Sequence, residues 1–255
     1  MDVAEVLSQF DAEMRMDPPP EAGLHYDIRA GIVRASDHAT YIIYSGLDPA
    51  HVEEAIATEV AYVTSRGRTV EWKVYGHDEP RNLSGRLAAH GFTPDEPETL
   101  MVADLLHIPP PTETETEIII RRIGDEAGFH DLIAVQTAVF ERDHAAIADE
   151  FRSRLTDPTL GLYVAYSGGV PVAAGRLSLP PGRSFAGLWG GGTLPAFRQR
   201  GIYRQLVAAR ANAARTLGYR HLIVEARESS RPILQRLGFV PLTSVVGWIL
   251  RPPGP

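Results

Sequence analysis

Cysteine is absent, lysine occurs once, at Lys73, and methionine four times in 255 residues. Without cysteine there is no disulfide framework, no thiolate nucleophile and no Cys-ligated zinc or iron–sulfur site, and a reducing compartment is the expectation. Long apolar runs are missing too, none approaching the ~18 residues of a membrane span. The opening MDVAEVLSQFDAEMR mixes acids with apolar residues and lacks the basic segment and unbroken apolar core of a signal peptide. A cytoplasmic protein with no membrane role is expected. Nothing matches a Gly-x-Ser-x-Gly elbow or a His-Glu-x-x-His helix, so serine and zinc hydrolase chemistry has no anchor. The nine histidines are scattered, and no metal site is expected.

What is present is an ordinary globular composition, 44% hydrophobic, with charge unevenly spread around a net −7. Residues 1–106 carry 19 acids and 8 bases, a net −11, while residues 107–255 carry 13 acids and 17 bases, a net +4. Ten arginines against Glu225 and Glu228 fall within residues 183–236. That local excess suits the phosphates of a small ligand, or is a set of solvated helix faces. The acidic first half would repel a nucleic-acid backbone, so no nucleic-acid partner is expected.

The segment HIPPPTETETE, residues 107–117, has the composition of a stiff solvated linker and predicts two domains, 1–106 and 118–255. In the first, residues 2–14 repeat Val3, Val6, Leu7, Phe10 and Met14 at helical spacing. Two strands around a turn follow in IVRASDHATYIIYSG. Asp48-Pro49 then predicts a helix to about Ser65, TVEWKVYG a strand, Leu83 to His90 a short helix stopped by Gly91-Phe92, and residues 99–106 a last strand. In the second, EIIIRRIG is a strand and residues 125–140 and 145–155 are helices parted near Arg142-Asp143. A hairpin turns at Ser167-Gly168-Gly169, and FAGLWGGGT is a strand. Ile202, Leu206, Ala209, Ala213 and Leu217 mark one helix face. HLIVEA is a strand, Ser230 to Leu237 a short helix stopped by Gly238-Phe239, and SVVGWIL the last strand. Both halves thus end alike, which is either a tandem repeat or a common local way of stopping a helix.

The stretch that carries chemistry is WGGGTLPAFRQRGIYR, Trp189 to Arg204. A strand ends in glycines, turns through Leu194-Pro195 and enters a helix at an arginine-rich loop. Unpaired N–H groups at a helix N-terminus attract an anion, and Gly201 permits close backbone approach while Arg198, Arg200 and Arg204 supply charge. The dinucleotide fingerprint fails at Pro195, and the nucleotide P-loop has no match.

This segment resembles the acyl-CoA-binding motif of the GNAT superfamily of N-acetyltransferases, Arg/Gln-x-x-Gly-x-Gly/Ala after a strand ending in an x-Pro turn. Here it reads Arg198-Gln199-Arg200-Gly201-Ile202-Tyr203, and the order of elements matches over residues 118–251. The resemblance implies an α/β (α+β) fold of two GNAT-like domains, each a mixed, mostly antiparallel sheet flanked by helices. The N-terminal one is degenerate, lacking the motif. It implies acetyl-CoA as cosubstrate, with Gly192, Thr193 and Leu194 offering backbone groups to the pantetheine arm. Arg198, Gln199, Arg200, Gly201, Ile202, Tyr203 and Arg204 would hold the pyrophosphate, and Ser230 joins the cofactor set. Two positions depart from the family pattern. Tyr203 replaces a Gly or Ala, and Leu234 stands where many members carry a tyrosine that protonates the departing thiolate.

The reaction implied is direct attack of an amine on the acyl thioester, with a backbone N–H between Gly191 and Thr193 polarising the carbonyl. Glu225 is the candidate proton acceptor, or else a surface carboxylate paired with Arg227. The acceptor is an amine of a small molecule or peptide, drawn by the acids of the first half, and the protein is a monomer or homodimer. The alternative is a non-catalytic acyl-CoA-binding or sensing protein.

Overall fold

The first helix shows how the chain builds its elements. Asp2 accepts from the Ala4 amide at 2.9 Å and caps α1 (Val3–Phe10), whose Val6 and Phe10 are buried. The chain widens into a π-helical turn over Asp11–Met16, where Arg15 is buried. The computed structural model describes residues 1–29, 31–37, 39–108, 118–141 and 145–252. Nine residues of the predicted linker, 109–117, and the predicted helix break at Arg142-Asp143 lie outside them.

Packing divides the chain into two units. One contains Met1–Leu100, Ala226–Ser229 and Pro241–Pro255, and the other Met101–Glu225 and Ser230–Val240. This differs from a single cut in residues 107–117, because each unit contains a piece of the other sequence half. Patterning within one half could not reveal a long-range pairing of this kind.

The first unit holds β1 (His25–Arg29), β2 (Ile32–Ser36), β3 (Thr40–Ser45), α2 (Val52–Thr64), β4 (Val70–Tyr75), α3 (Leu83–Ala89) and β5 (Thr93–Pro94). Its strand order is β1-β2-β3-β4-β12, where β12 (Val240–Leu250) is the final strand of the chain, and β5 also pairs β12. These strands pair antiparallel, except that β3 runs parallel to β4. The core gathers Ile42, Ile56, Trp72, Leu83, Leu87 and Phe92. Helix α2 starts later than Asp48-Pro49 predicted, because Asp48 instead closes a turn onto the Ala50 amide at 2.9 Å.

The second unit has the order β6-β11-β10-β9-β8-β7. Its elements are β6 (Glu98–Asp104), β7 (Ile118–Ile123), α4 (Glu126–Phe140), α5 (Ala145–Ser153), β8 (Leu160–Ser167), β9 (Val170–Ser178), β10 (Phe185–Thr193), α6 (Ile202–Thr216), β11 (His221–Ala226) and α7 (Arg231–Arg236). Asp125 caps α4 through the Gly128 amide at 2.8 Å. One core cluster packs Phe129, Leu132, Val135 and Phe151 on Leu162 and Val164.

The repeat seen in the sequence is a repeat of topology. In the first unit β3 runs parallel to β4, paired from Thr40↔Val70 to Ile42↔Trp72, with α2 as the crossover. In the second, β10 runs parallel to β11 from Phe185↔His221 to Gly187↔Ile223, with α6 as the crossover. Beyond α3 and Gly91-Phe92 the chain supplies β6 to the second unit, and beyond α7 and Gly238-Phe239 it supplies β12 to the first.

Candidate active site

Among the described residues the β10–β11 ladder ends at Gly187↔Ile223, while β10 continues to Thr193 along β9. From Leu188 on, one edge of β10 is therefore no longer paired with β11. On the β9 side the register steps from Trp189↔Arg176 to Gly192↔Ala174, so Gly190 and Gly191 together oppose Gly175. That bulge re-aims the strand where the splay opens.

Glycine is needed here for space on both faces. A Cβ on Gly190 would lie 2.9 Å from Gln136 Nε2, and one on Gly191 would lie 3.2 Å from both Arg210 Nη2 and Tyr203 Cε2. A Cβ on Gly192 would overlap Val139. Gln136, 2% exposed on α4, donates to Gly190 O at 3.1 Å and ties the bulge to that helix.

Thr193 ends the strand with a buried hydroxyl that has no hydrogen-bond partner among the described residues. The Leu194 amide donates to Val172 O at 2.9 Å. This corrects the expectation for Leu194, whose N–H is used by β9 instead of being offered to a ligand. A 3-10 turn over Pro195–Phe197 follows. Arg198 Nε then donates back to Thr193 O at 3.1 Å, and the Arg200 guanidinium lies 5.1 Å from the Phe197 ring. Gln199 and Gly201 both have positive φ, 64° and 76°. For Gln199 this is an uncommon conformation, held by the tight entry to the helix. Gly201 is the N-cap of α6 and has no side chain to cap with, so the first amides of α6 receive no side-chain cap from it. Arg198, Gln199, Arg200 and Arg204 are exposed, while Ile202 is buried and anchors the turn.

Tyr203 does not crowd this loop. Its ring turns to the sheet and fills the space left by Gly191, so a large residue in the motif is matched by a missing side chain on the strand. Burial pushes its hydroxyl above the usual tyrosine range, partly offset by the charge of Arg210.

Glu225 is half-buried near the end of β11, two residues past Ile223, where the pairing with β10 ends. Arg227 reaches Glu96 at 3.4 Å and Glu98 at 3.6 Å. Ser230 is the N-cap residue of α7, and Leu234 on that helix is 0% exposed, facing the core. No group of three His, Asp or Glu able to hold a metal occurs among the described residues, and no helix is long and apolar enough to cross a membrane.

Sequence reasoning missed Gln136, Val139 and above all Arg210. The buried stripe of α6 includes Ile202, Leu206, Arg210 and Ala214, not Ala209, Ala213 and Leu217, and Leu217 is 59% exposed. The helical spacing is legible in the sequence, but the apolar set read from it does not include Arg210, which takes a place in the buried row.

A mixed sheet that splits beside a glycine-rich strand, followed by an arginine loop and a crossover helix, is the architecture of the GNAT fold. Three solved structures align along essentially the whole chain. A GCN5-related N-acetyltransferase from Kribbella flavida has 17% identity and a TM-score of 0.72, covering 99% of this chain and 95% of that one. One from Sphaerobacter thermophilus has 17% identity and a TM-score of 0.64, covering 99% and 86%. A tandem GNAT protein from the clavulanic acid biosynthesis pathway has 16% identity and a TM-score of 0.64, covering 99% and 95%. No curated protein sequence matches the chain. Residues 128–239 match the model of the acetyltransferase (GNAT) family.

Proposed function

We propose that this protein transfers an acetyl group from acetyl-CoA to an amine of a small molecule or peptide, at one site in the second unit. The observation that carries the reading is the released edge of β10 running directly into the Arg198–Arg204 loop and the uncapped start of α6. Gly192 and Thr193 would face the pantetheine arm, and the loop with Arg198, Arg200 and Arg204 the pyrophosphate. Ser230 lies at the head of α7. No metal takes part in the proposed reaction.

The amine nitrogen forms a bond to the thioester carbonyl carbon, the C–S bond breaks, and the electron pair leaves on sulfur. Glu225 takes the proton lost by the amine, directly or through water. Because Leu234 is in the core, the thiolate leaves without a tyrosine proton donor at that position. A thiol pKa near ~8.5 makes that departure tolerable, while a general acid would have added ~10² to 10⁴ in rate.

The first unit repeats the crossover but not the anion site. Its helix α2 carries Glu53 and Glu54 in its first turn, beside Asp48 in the preceding loop. Acids at a helix N-terminus oppose a phosphate. The acids of that unit favour a cationic acceptor. The protein works in the cytoplasm as a monomer or homodimer.

Calorimetry against acetyl-CoA and CoA tests the reading. Micromolar binding lost in Arg198→Ala and Gly201→Glu, followed by thiol release with a screened amine, supports it. Absence of binding overturns it. Leu234, in the place of a tyrosine proton donor, favours one second reading, a non-catalytic acyl-CoA-binding or sensing protein, which binding without turnover across the amine screen would establish.

A further inference from the structure

The second unit contains a buried cation that its packing does not explain. Arg210 is 0% exposed. Its Nε donates to Leu206 O at 3.1 Å and its Nη1 to Arg176 O at 2.9 Å, while Nη2 is buried with no hydrogen-bond partner among the described residues. No carboxylate pairs with it among the described residues. Burial lowers its pKa to about 10, so it is charged at neutral pH. An uncompensated buried charge opposes folding, and a purely structural role would be filled better by an apolar side chain.

The space it occupies is made by glycine on both strands of the bulge. A Cβ on Gly175 would lie 2.6 Å from Nη1 and 2.9 Å from Cζ, and one on Gly191 would lie 3.2 Å from Nη2. Gly175 is the β9 residue opposite the extra residue of β10. The carbonyl of Arg176, where the register breaks, accepts from Nη1. The guanidinium therefore both holds one side of the irregular ladder and directs its unpartnered Nη2 toward Gly191.

We propose that Arg210 is a positioning residue for acyl transfer, fixing the β10 bulge and placing a permanent positive charge behind the backbone that receives the thioester carbonyl. The inference rests on acetyl-CoA binding along β10. As the N–C bond forms, the carbonyl oxygen gains an electron pair, and when the C–S bond breaks that charge passes to sulfur. A fixed cation in a water-free position favours both charged stages over the neutral thioester, which is a differential effect on the transition state.

The test uses acetyl-CoA labelled with ¹³C at the carbonyl and infrared difference spectra of its complexes with the full chain. The wild type should lower the carbonyl frequency relative to free acetyl-CoA. Arg210→Met should lose most of that displacement while its Kd for CoA stays within threefold, and Arg210→Lys should restore part of it. With an accepted amine, Arg210→Met should lower kcat at least thirtyfold with KM for acetyl-CoA nearly unchanged. Gly175→Ala keeps the charge but crowds the guanidinium, and should give an intermediate displacement even if the Met variant does not fold. Equal frequencies in wild type and both substituted sites would overturn the proposal. So would tighter binding of malonyl-CoA than acetyl-CoA that Arg210→Met abolishes, since Arg210 would then be a ligand for an acyl carboxylate. No binding of acetyl-CoA to the wild type would overturn the underlying reading, and this inference with it.

Discussion

Replacing Gly192 by alanine should damage stability and ligand binding together, and a second substitution should repair the first. The added methyl would overlap Val139 Cγ1 and lie 3.3 Å from Val139 Cβ, so strand and helix must part by about an ångström. Val139 packs on the cluster of Phe129, Leu132 and Val135, so α4 has little freedom to yield. Overpacking of this kind costs ~1–3 kcal/mol, which lowers Tm by roughly 2–4 °C per kcal/mol in a chain of this size. Val139→Ala alone removes two methyl groups and costs about 1.5 kcal/mol. If the contact is as described, the double variant is more stable than the sum of the singles predicts, by at least ~1 kcal/mol. Urea unfolding followed by tryptophan fluorescence measures all four proteins, and acetyl-CoA calorimetry on the same set should show affinity lost in Gly192→Ala and regained in the double. Additivity within ~0.5 kcal/mol would refute the reasoning.

Other outcomes follow from the same geometry. Gly201→Ala places a side chain at a φ of 76° and should cost ~1–2 kcal/mol by thermal melting, with weakened CoA binding. Glu225→Gln should lower turnover at pH 7 more than tenfold; unchanged kinetics would remove Glu225 from the reaction. Calorimetry should give one acetyl-CoA per chain, because Glu53 and Glu54 head the corresponding helix of the first unit, and a stoichiometry of two would contradict this. In the first unit, burial raises the Asp11 pKa, but the hydrogen bond from His77 at 2.7 Å and the charge of Arg15 outweigh it and hold the carboxyl below 3.8. A carboxylate depressed by folding adds stability above its unfolded pKa and loses it as pH falls through the folded one. Asp11→Asn should therefore reduce stability at pH 7 and flatten its decline below pH ~4 in acid unfolding.

Local signals carried most of the elements. The branched run IIIRRI is β7, Ser167-Gly168-Gly169 turns the β8–β9 hairpin, and Gly91-Phe92 and Gly238-Phe239 follow α3 and α7. Each is decided within a few residues, by periodicity or by a glycine that only a turn accepts. The glycines of WGGGT were legible as unusual, but their reason lies on α4 and α6, far away in sequence. Leu194 could not be judged without knowing that Val172 faces its amide. Arg210 is not legible as a buried residue in the sequence, because the room for it is made by two glycines on other elements, Gly175 and Gly191.

The crossing of β6 and β12 between units changes what counts as a module of this protein. A fragment ending in residues 107–117 retains β4 but not β12, the strand that pairs its residues Val70 to Tyr75. It would present a bare sheet edge, the arrangement that recruits unwanted strands and precipitates. The complementary fragment begins without β6, the neighbour of β11. Heritable change in this chain therefore acts on the pair: neither half can be duplicated, shuffled into another gene or discarded without taking a strand from its companion.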